Sequence, residues 1–359
     1  MLVVGRVVAF VFGAAVVAAT LASAVKTVVV PRAEPALLSR WVFVTVRRPF
    51  DMRVRRADTW EDADRIMARF APFALVLLPG VWVAVVLLGF VPIYWALGLD
   101  FPRESFVQSG SSMLTLGYAF DTETPVVTAS FVQATLGLGL VALLISFLPT
   151  IYQTFSRREV LVSQLDTRAG TPPSPINLFR RAERINWTTD DLWSDWERWF
   201  AEVEESHTSY PALPFFRSPH PARSWITAAG AVLDSAALRA STLDMPSSWQ
   251  AELCIRAGYL ALRRIAGIYD IPYDPDPEPT DPIAITRDEY DEVVDEMIKD
   301  GVAVKADRDQ AWRDFAGWRV NYDLPLLALS GLVMAPYAPW SSDRGINYRV
   351  RLIVLNRRR

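Results

Sequence analysis

Side chains able to do covalent or metal chemistry are few in this chain of 359 residues. Cys254 is the single cysteine, which excludes an intramolecular disulfide, and His207 and His220 are the only histidines, too few for a zinc or iron ligand set. The flanks of Cys254 in AELCIRAGYLALRR place it on an apolar helix face as a buried, inert thiol. Asp274, Asp276, Glu278 and Asp281 are interleaved with proline and lack the glycine and spacing of a calcium loop, so they read as a rigid solvated turn. No nucleophile elbow and no phosphate-cradling glycine loop occurs, and no enzyme activity or cofactor is expected. What remains is backbone chemistry. The segment Thr115-Leu116-Gly117-Tyr118-Ala119 is apolar, carries one glycine, and sits in the connection FPRESFVQSGSSMLTLGYAFDTETP between two long charge-free runs.

Those runs are the elements that must position it. A bilayer core needs about 20 apolar residues in a helix. Three stretches qualify: Val7 to Val25, Phe70 to Leu99 with Pro72, Pro79 and Pro92, and Thr124 to Ser156. Ala22-Ser23-Ala24 has the form of a signal-peptidase site, but cleavage would export a segment rich in arginine, including Arg47, Arg48, Arg53, Arg55 and Arg56. An uncleaved anchor is the expectation. Basic loops stay on the cytoplasmic side, so residues 25–71 are expected inside and the amino terminus outside. Residues 100–123, with Arg103 against Asp100, Glu104, Asp121 and Glu123, are then outside, and everything after the third span is cytoplasmic. Leu37 to Arg48 reads as a short interfacial helix anchored by Trp41. Basic residues are almost all arginine, the lysines being Lys26, Lys299 and Lys305, a bias that fits a GC-rich bacterial genome and hence a bacterial cytoplasmic membrane.

Arg103 to Met113 can form a short helix ahead of Thr115, and the order is then apolar helix, short helix, TLGYA segment, apolar helix. In this order and in these residues the chain resembles the potassium-channel family, whose pore region is outer helix, pore helix, T-V-G-Y-G filter and inner helix. The resemblance implies a filter at Thr115 to Ala119 that strips water from a potassium ion and replaces it with the carbonyls of Thr115, Leu116, Gly117 and Tyr118. Gly117 would supply a left-handed position, the Thr115 hydroxyl the innermost ligand, and Tyr118 a brace against its own pore helix. Leu116 stands for the family's valine, Ala119 for its outer glycine and Phe120 for its aspartate, which leaves the outermost site distorted and weakens strict potassium selectivity. Gly139, twenty residues beyond Ala119, and Pro149 match places where the family's inner helix bends; the other reading is close helix packing at Gly137 and Gly139 and a kinked helix end. One filter strand cannot enclose an ion, so a homotetramer in the lipid bilayer follows.

The expected fold is therefore an all-α membrane protein: an N-terminal anchor (1–30), a basic cytoplasmic loop (31–69), a pore domain (70–155), a linker (156–176), a helical cytoplasmic domain (177–343) and a basic tail (344–359). Within the pore domain, the outer helix is 70–99, the re-entrant pore helix with its filter strand 103–119, and the inner helix 124–155. In the cytoplasmic domain, Leu192, Trp196, Trp199, Phe200 and Val203 share one helix face, Thr286 and Glu289 form a capping box, and Leu324 to Met334 is too short to span a bilayer and reads as core. The tryptophans there read as core and interface rather than a ligand cage. Neither a nucleic-acid partner nor a particular soluble regulator is indicated, and no arginine series marks a voltage sensor. The function expected is a tetrameric cation channel conducting potassium; the alternative is a non-conducting or weakly selective membrane-anchored scaffold or sensor that keeps the pore fold.

Overall fold

A computed structural model describes residues 2–28 and 37–344, so the basic tail beyond Arg344 lies outside the described residues. Those residues are all-helical, without a named strand, and divide into two compact units: 1–57 with 66–153, and 58–65 with 154–359.

The first unit contains α1 (Leu2–Val28), α2 (Leu37–Val54), α4 (Phe70–Leu97), α5 (Arg103–Met113) and most of the apolar length of α6 (Thr124–Ala169), while α3 (Trp60–Ala68) straddles the boundary with the second. Three helices, within α1, α3–α4 and α6, are long and apolar enough to cross a membrane. Helix α1 lies along α4 at a glycine crossing: a Cβ on Gly13 would come within 2.4 Å of the Gly89 carbonyl, and one on Gly89 within 2.9 Å of Val17. Small residues let helices approach this closely where lipid supplies no hydrophobic drive. Pro79 and Pro92 sit inside α4, which ends at Gly98 with φ 125°, a backbone angle only glycine takes readily. The expected interfacial helix is α2, longer than its apolar core, with Trp41 exposed.

The second unit is built from the distal end of α6, α7 (Pro175–Ile185), α8 (Asp190–Ser209), α9 (Trp225–Ser241), α10 (Trp249–Ile268), α11 (Arg287–Lys299), α12 (Arg308–Arg319) and α13 (Asp323–Val333). Helix α9 is almost wholly buried and forms the centre; its small residues Ala228, Ala229, Ala236 and Ala237 let α7, α10, α12 and α13 close around it. Leu192, Trp193, Trp196, Trp199 and Phe200 of α8 join this core, as do Trp225 and the leucines of α13. Trp249, by contrast, is exposed, and Trp312 and Trp318 are partly buried. Where α10 meets α8 and α9, Gly258 leaves room for the Phe200 ring and Leu233, which a Cβ would meet at 3.0 and 2.4 Å. Thr286 and Glu289 close the expected capping box on α11.

The linker expected at 156–176 takes a different form. Helix α6 continues unbroken to Ala169, and Val162, Leu165 and Ala169 belong to the core of the second unit. Only 170–174 are non-helical before Pro175 starts α7. The reason is amphipathic: once past the apolar stretch, the helix still carries a stripe of Val162, Leu165 and Ala169 that finds a partner in α8 and α9 residues of the core.

Candidate functional site

The short helix α5 spans Arg103–Met113, as its sequence predicts, and the chain then turns back through Thr115 to Ala119. Thr115 (φ 54°) and Gly117 (φ 63°) are left-handed and Leu116 between them is not. Alternating handedness turns successive peptide groups the same way, which a regular strand does not. A threonine in that conformation is strained by roughly 1 kcal/mol or more. Its hydroxyl donates to the Leu114 carbonyl at 2.8 Å.

What holds this segment is serine. The amide of Ala119 donates to Ser111 Oγ at 2.9 Å, the Leu116 amide to the Ser111 carbonyl at 2.9 Å, and the Thr115 amide to the Ser112 carbonyl at 3.2 Å. Ser111 Oγ in turn lies 3.4 Å from the Ala119 carbonyl, so that carbonyl faces α5. One expectation changes here. Tyr118, assigned as the brace against α5, is 83% exposed within one chain, and the bracing falls to Ser111. Within the segment the strained non-glycine position is Thr115, and Ala119 does not take a positive φ.

Behind α5 lies a buried polar cluster between apolar helices. Tyr94 of α4 donates to Gln133 Oε1 of α6 at 2.8 Å, Gln133 Nε2 to Ser109 Oγ at 2.7 Å, and Ser109 Oγ to the Leu87 carbonyl at 2.7 Å. Gln108 Nε2 reaches Ser130 Oγ at 2.8 Å, and Ser130 donates to the Val126 carbonyl at 2.9 Å. In an apolar surround each of these groups would cost several kcal/mol if left alone, so the closed set fixes α5 between α4 and α6. Gly137 completes the fit: a Cβ there would stand 2.5 Å from the Met113 carbonyl at the end of α5. Sequence reasoning did not single out Ser109, Ser111, Gln108, Tyr94, Ser130 or Gln133. The available signal was Gln133, an amide in the middle of a charge-free span, together with the serine run at 109–112.

Helix α6 presents opposite faces. Val126, Gln133, Gly137, Leu140, Phe147 and Ile151 are buried along one side. On the other, Thr128, Thr135, Gly139, Ser146, Thr150 and Gln153 recur three, four or seven residues apart and are all exposed within one chain. The hydroxyls of Thr128, Thr135, Ser146 and Thr150 donate to carbonyls four residues back, which leaves oxygen lone pairs directed outward. The helix runs through Gly139 and Pro149 without a break, and a Cβ on Gly139 would meet nothing within 4 Å. Of the two packing glycines expected, Gly137 is one and Gly139 is not.

In the second unit the end of α6 is anchored at Arg158, whose guanidinium donates to the Leu213 carbonyl at 3.1 Å, the Phe216 carbonyl at 2.7 Å and Glu159 at 2.7 Å, while its own carbonyl accepts from Trp199 Nε1 at 3.0 Å. Arg158 Nη1 also lies 3.3 Å from His207 Nε2. Because arginine only donates, His207 is neutral with Nε2 as acceptor. Burial, and then the Arg158 charge, hold the His207 pKa well below its ordinary value. Burial likewise pushes the Cys254 thiol far up, which keeps it inert. The acidic turn from Asp274 to Asp281 gathers no metal site among the described residues.

No protein-family model, curated protein or solved structure matches the chain.

Proposed function

We propose that the chain is one subunit of a homotetrameric pore-loop cation channel that conducts potassium. The observation that carries the reading is the re-entrant unit: a short helix and a turned-back segment with left-handed Thr115 and Gly117, strapped by Ser111 and seated between two apolar helices. Leu116, Tyr118 and Phe120 are 66%, 83% and 85% exposed in a single chain, which for apolar and aromatic side chains in such a place calls for neighbouring subunits. The exposed hydroxyl face of α6 supplies the matching inner lining, because oxygen lone pairs suit a hydrated cation. In this arrangement the carbonyls of Thr115, Leu116, Gly117 and Tyr118 serve as ligands to the potassium ion, the Thr115 hydroxyl lies at the inner end, and Gly139 lies on the lining as a bending point. The membrane is the bacterial cytoplasmic membrane, with the soluble unit inside.

A second reading, weak selectivity, is favoured by one observation: the Ala119 carbonyl faces Ser111, so the outermost ring of ligands is lost. Planar-bilayer recording in a potassium–sodium gradient tests both. A cation current with a potassium-directed reversal potential that Thr115→Ala shifts toward zero supports the pore; a current without preference supports the second reading; no current under any voltage or pH contradicts conduction.

A further inference from the structure

The soluble unit contains a second, unassigned place built for a charged group. A small, partly open cleft is lined by Arg217, Ser218, Arg223, Ser224 and Trp225, with Phe216 and Val333 on its apolar walls. Three donors converge there. Ser218 is buried to 8% exposure and its hydroxyl has no hydrogen-bond partner, an arrangement that is unfavourable unless a ligand or water fills it. Helix α9 begins at the cleft, and its N-cap Ser224 makes no side-chain cap, so its first amides and the positive end of its dipole are open, with no acid in the first turn. Arg223 bonds Ser163 and Asp166 through Nη1 and Nη2, and its Nε has no partner among the described residues. A buried hydroxyl donor, a guanidinium edge and a helix N-terminus together match a tetrahedral oxyanion and not a cation or an apolar ligand.

We propose that this cleft binds a phosphate group, through Ser218 Oγ, Arg223 Nε and the first-turn amides of α9. The site has a consequence for the rest of the chain. Arg217, on its wall, bonds Asp64 and the Val333 and Met334 carbonyls and lies over the Trp60 ring, while Arg223 bonds Asp166 of α6. Asp64 precedes α4 in the chain, and Asp166 lies on the continuation of α6. A phosphate competing for either arginine would loosen a segment that leads into a membrane helix, so the site is a regulatory input. That last step rests on the pore reading; binding does not.

The test uses the full chain in detergent and follows its thermal melt by tryptophan fluorescence, at fixed ionic strength, with inorganic phosphate against chloride, and with dioctanoyl phosphatidic acid against dioctanoyl phosphatidylcholine. Phosphate raises the melting temperature of the wild type. Ser218→Ala melts no lower than the wild type without phosphate, because it removes an unsatisfied hydroxyl, yet needs at least about tenfold more phosphate for the same shift. A response to the inorganic ion marks a free ligand, and a response to phosphatidic acid alone marks a lipid headgroup. No stabilisation by either source, or a stabilisation that Ser218→Ala retains in full, overturns the proposal and leaves the pore reading untouched.

Discussion

At the residue scale, Ser111 carries more of the candidate site than any side chain of the TLGYA segment itself. Its hydroxyl accepts from the Ala119 amide, and that one bond, worth about 1 kcal/mol, holds the far end of the turned-back segment to α5. If the chain conducts as proposed, Ser111→Ala should leave the fold intact and lower potassium-over-sodium discrimination, read as a reversal-potential shift, whereas Tyr118→Phe should change discrimination less. His207 gives a prediction of a different kind. Its folded pKa lies below its unfolded value, so the unfolded chain binds more protons once pH falls under about 6.5. Stability is then full above that pH and falls below it, by up to about 1.4 kcal/mol per pH unit. Denaturant midpoints of the second unit's tryptophans between pH 7 and 5 should show this slope, and His207→Gln should flatten it. Glu289, whose carboxyl the bonds from Arg344 and Thr286 hold down to about 2, loses its contribution only below the ordinary carboxylate range, so the two effects fall in separate windows. A flat midpoint from pH 7 to 5 in the wild type would contradict the neutral His207–Arg158 pairing.

At the element scale, the decisive contacts are backbone approaches and buried ion pairs. Gly137→Ala drives a methyl into the Met113 carbonyl and shifts α5 against α6, while Gly139→Ala meets open space within the chain. The first should cost about 1–3 kcal/mol, and the second should leave the thermal melt unchanged. In the second unit, Arg319 is fully buried between Asp234 and Asp323, bonded at 2.5 and 2.7 Å, with Tyr322 and the Trp340 carbonyl completing the set. Removing one partner leaves an unpaired buried charge, so Arg319→Met should cost about 3–5 kcal/mol in chemical denaturation. Much of this architecture was legible in the residues. The charge-free runs give the three long apolar helices, Thr286 and Glu289 give the cap of α11, and the α5 boundaries follow from Arg103 to Met113. Other features were not legible, because they depend on partners distant in sequence. Nothing local distinguishes Ser111 from Ser109 or Ser112, although one straps Ala119 and another meets Gln133. The continuation of α6 past Ser156 is decided by core residues from helices dozens of positions later, which a local pattern cannot display.

At the scale of the whole molecule, the exposed faces left by one chain are what the proposed tetramer would cover. Phe131, Leu138, Ile145 and Tyr152 repeat every seven residues along α6 and are all exposed, beside the hydroxyl face that runs from Thr128 to Gln153. An apolar seam next to a hydroxyl seam is what a helix needs when one side meets a neighbour or lipid and the other meets water. In the proposed tetramer, four such chains about an axis would place the hydroxyl faces and the Thr115 to Tyr118 carbonyls toward a common centre. Whether cations cross at Thr115 to Tyr118, as proposed, is decided by potassium efflux from proteoliposomes. The wild type should release loaded potassium, and Gly117→Val, whose branched side chain cannot hold the positive φ of that position, should abolish release at equal incorporation and equal oligomer size. Equal efflux from the two proteins would contradict the account.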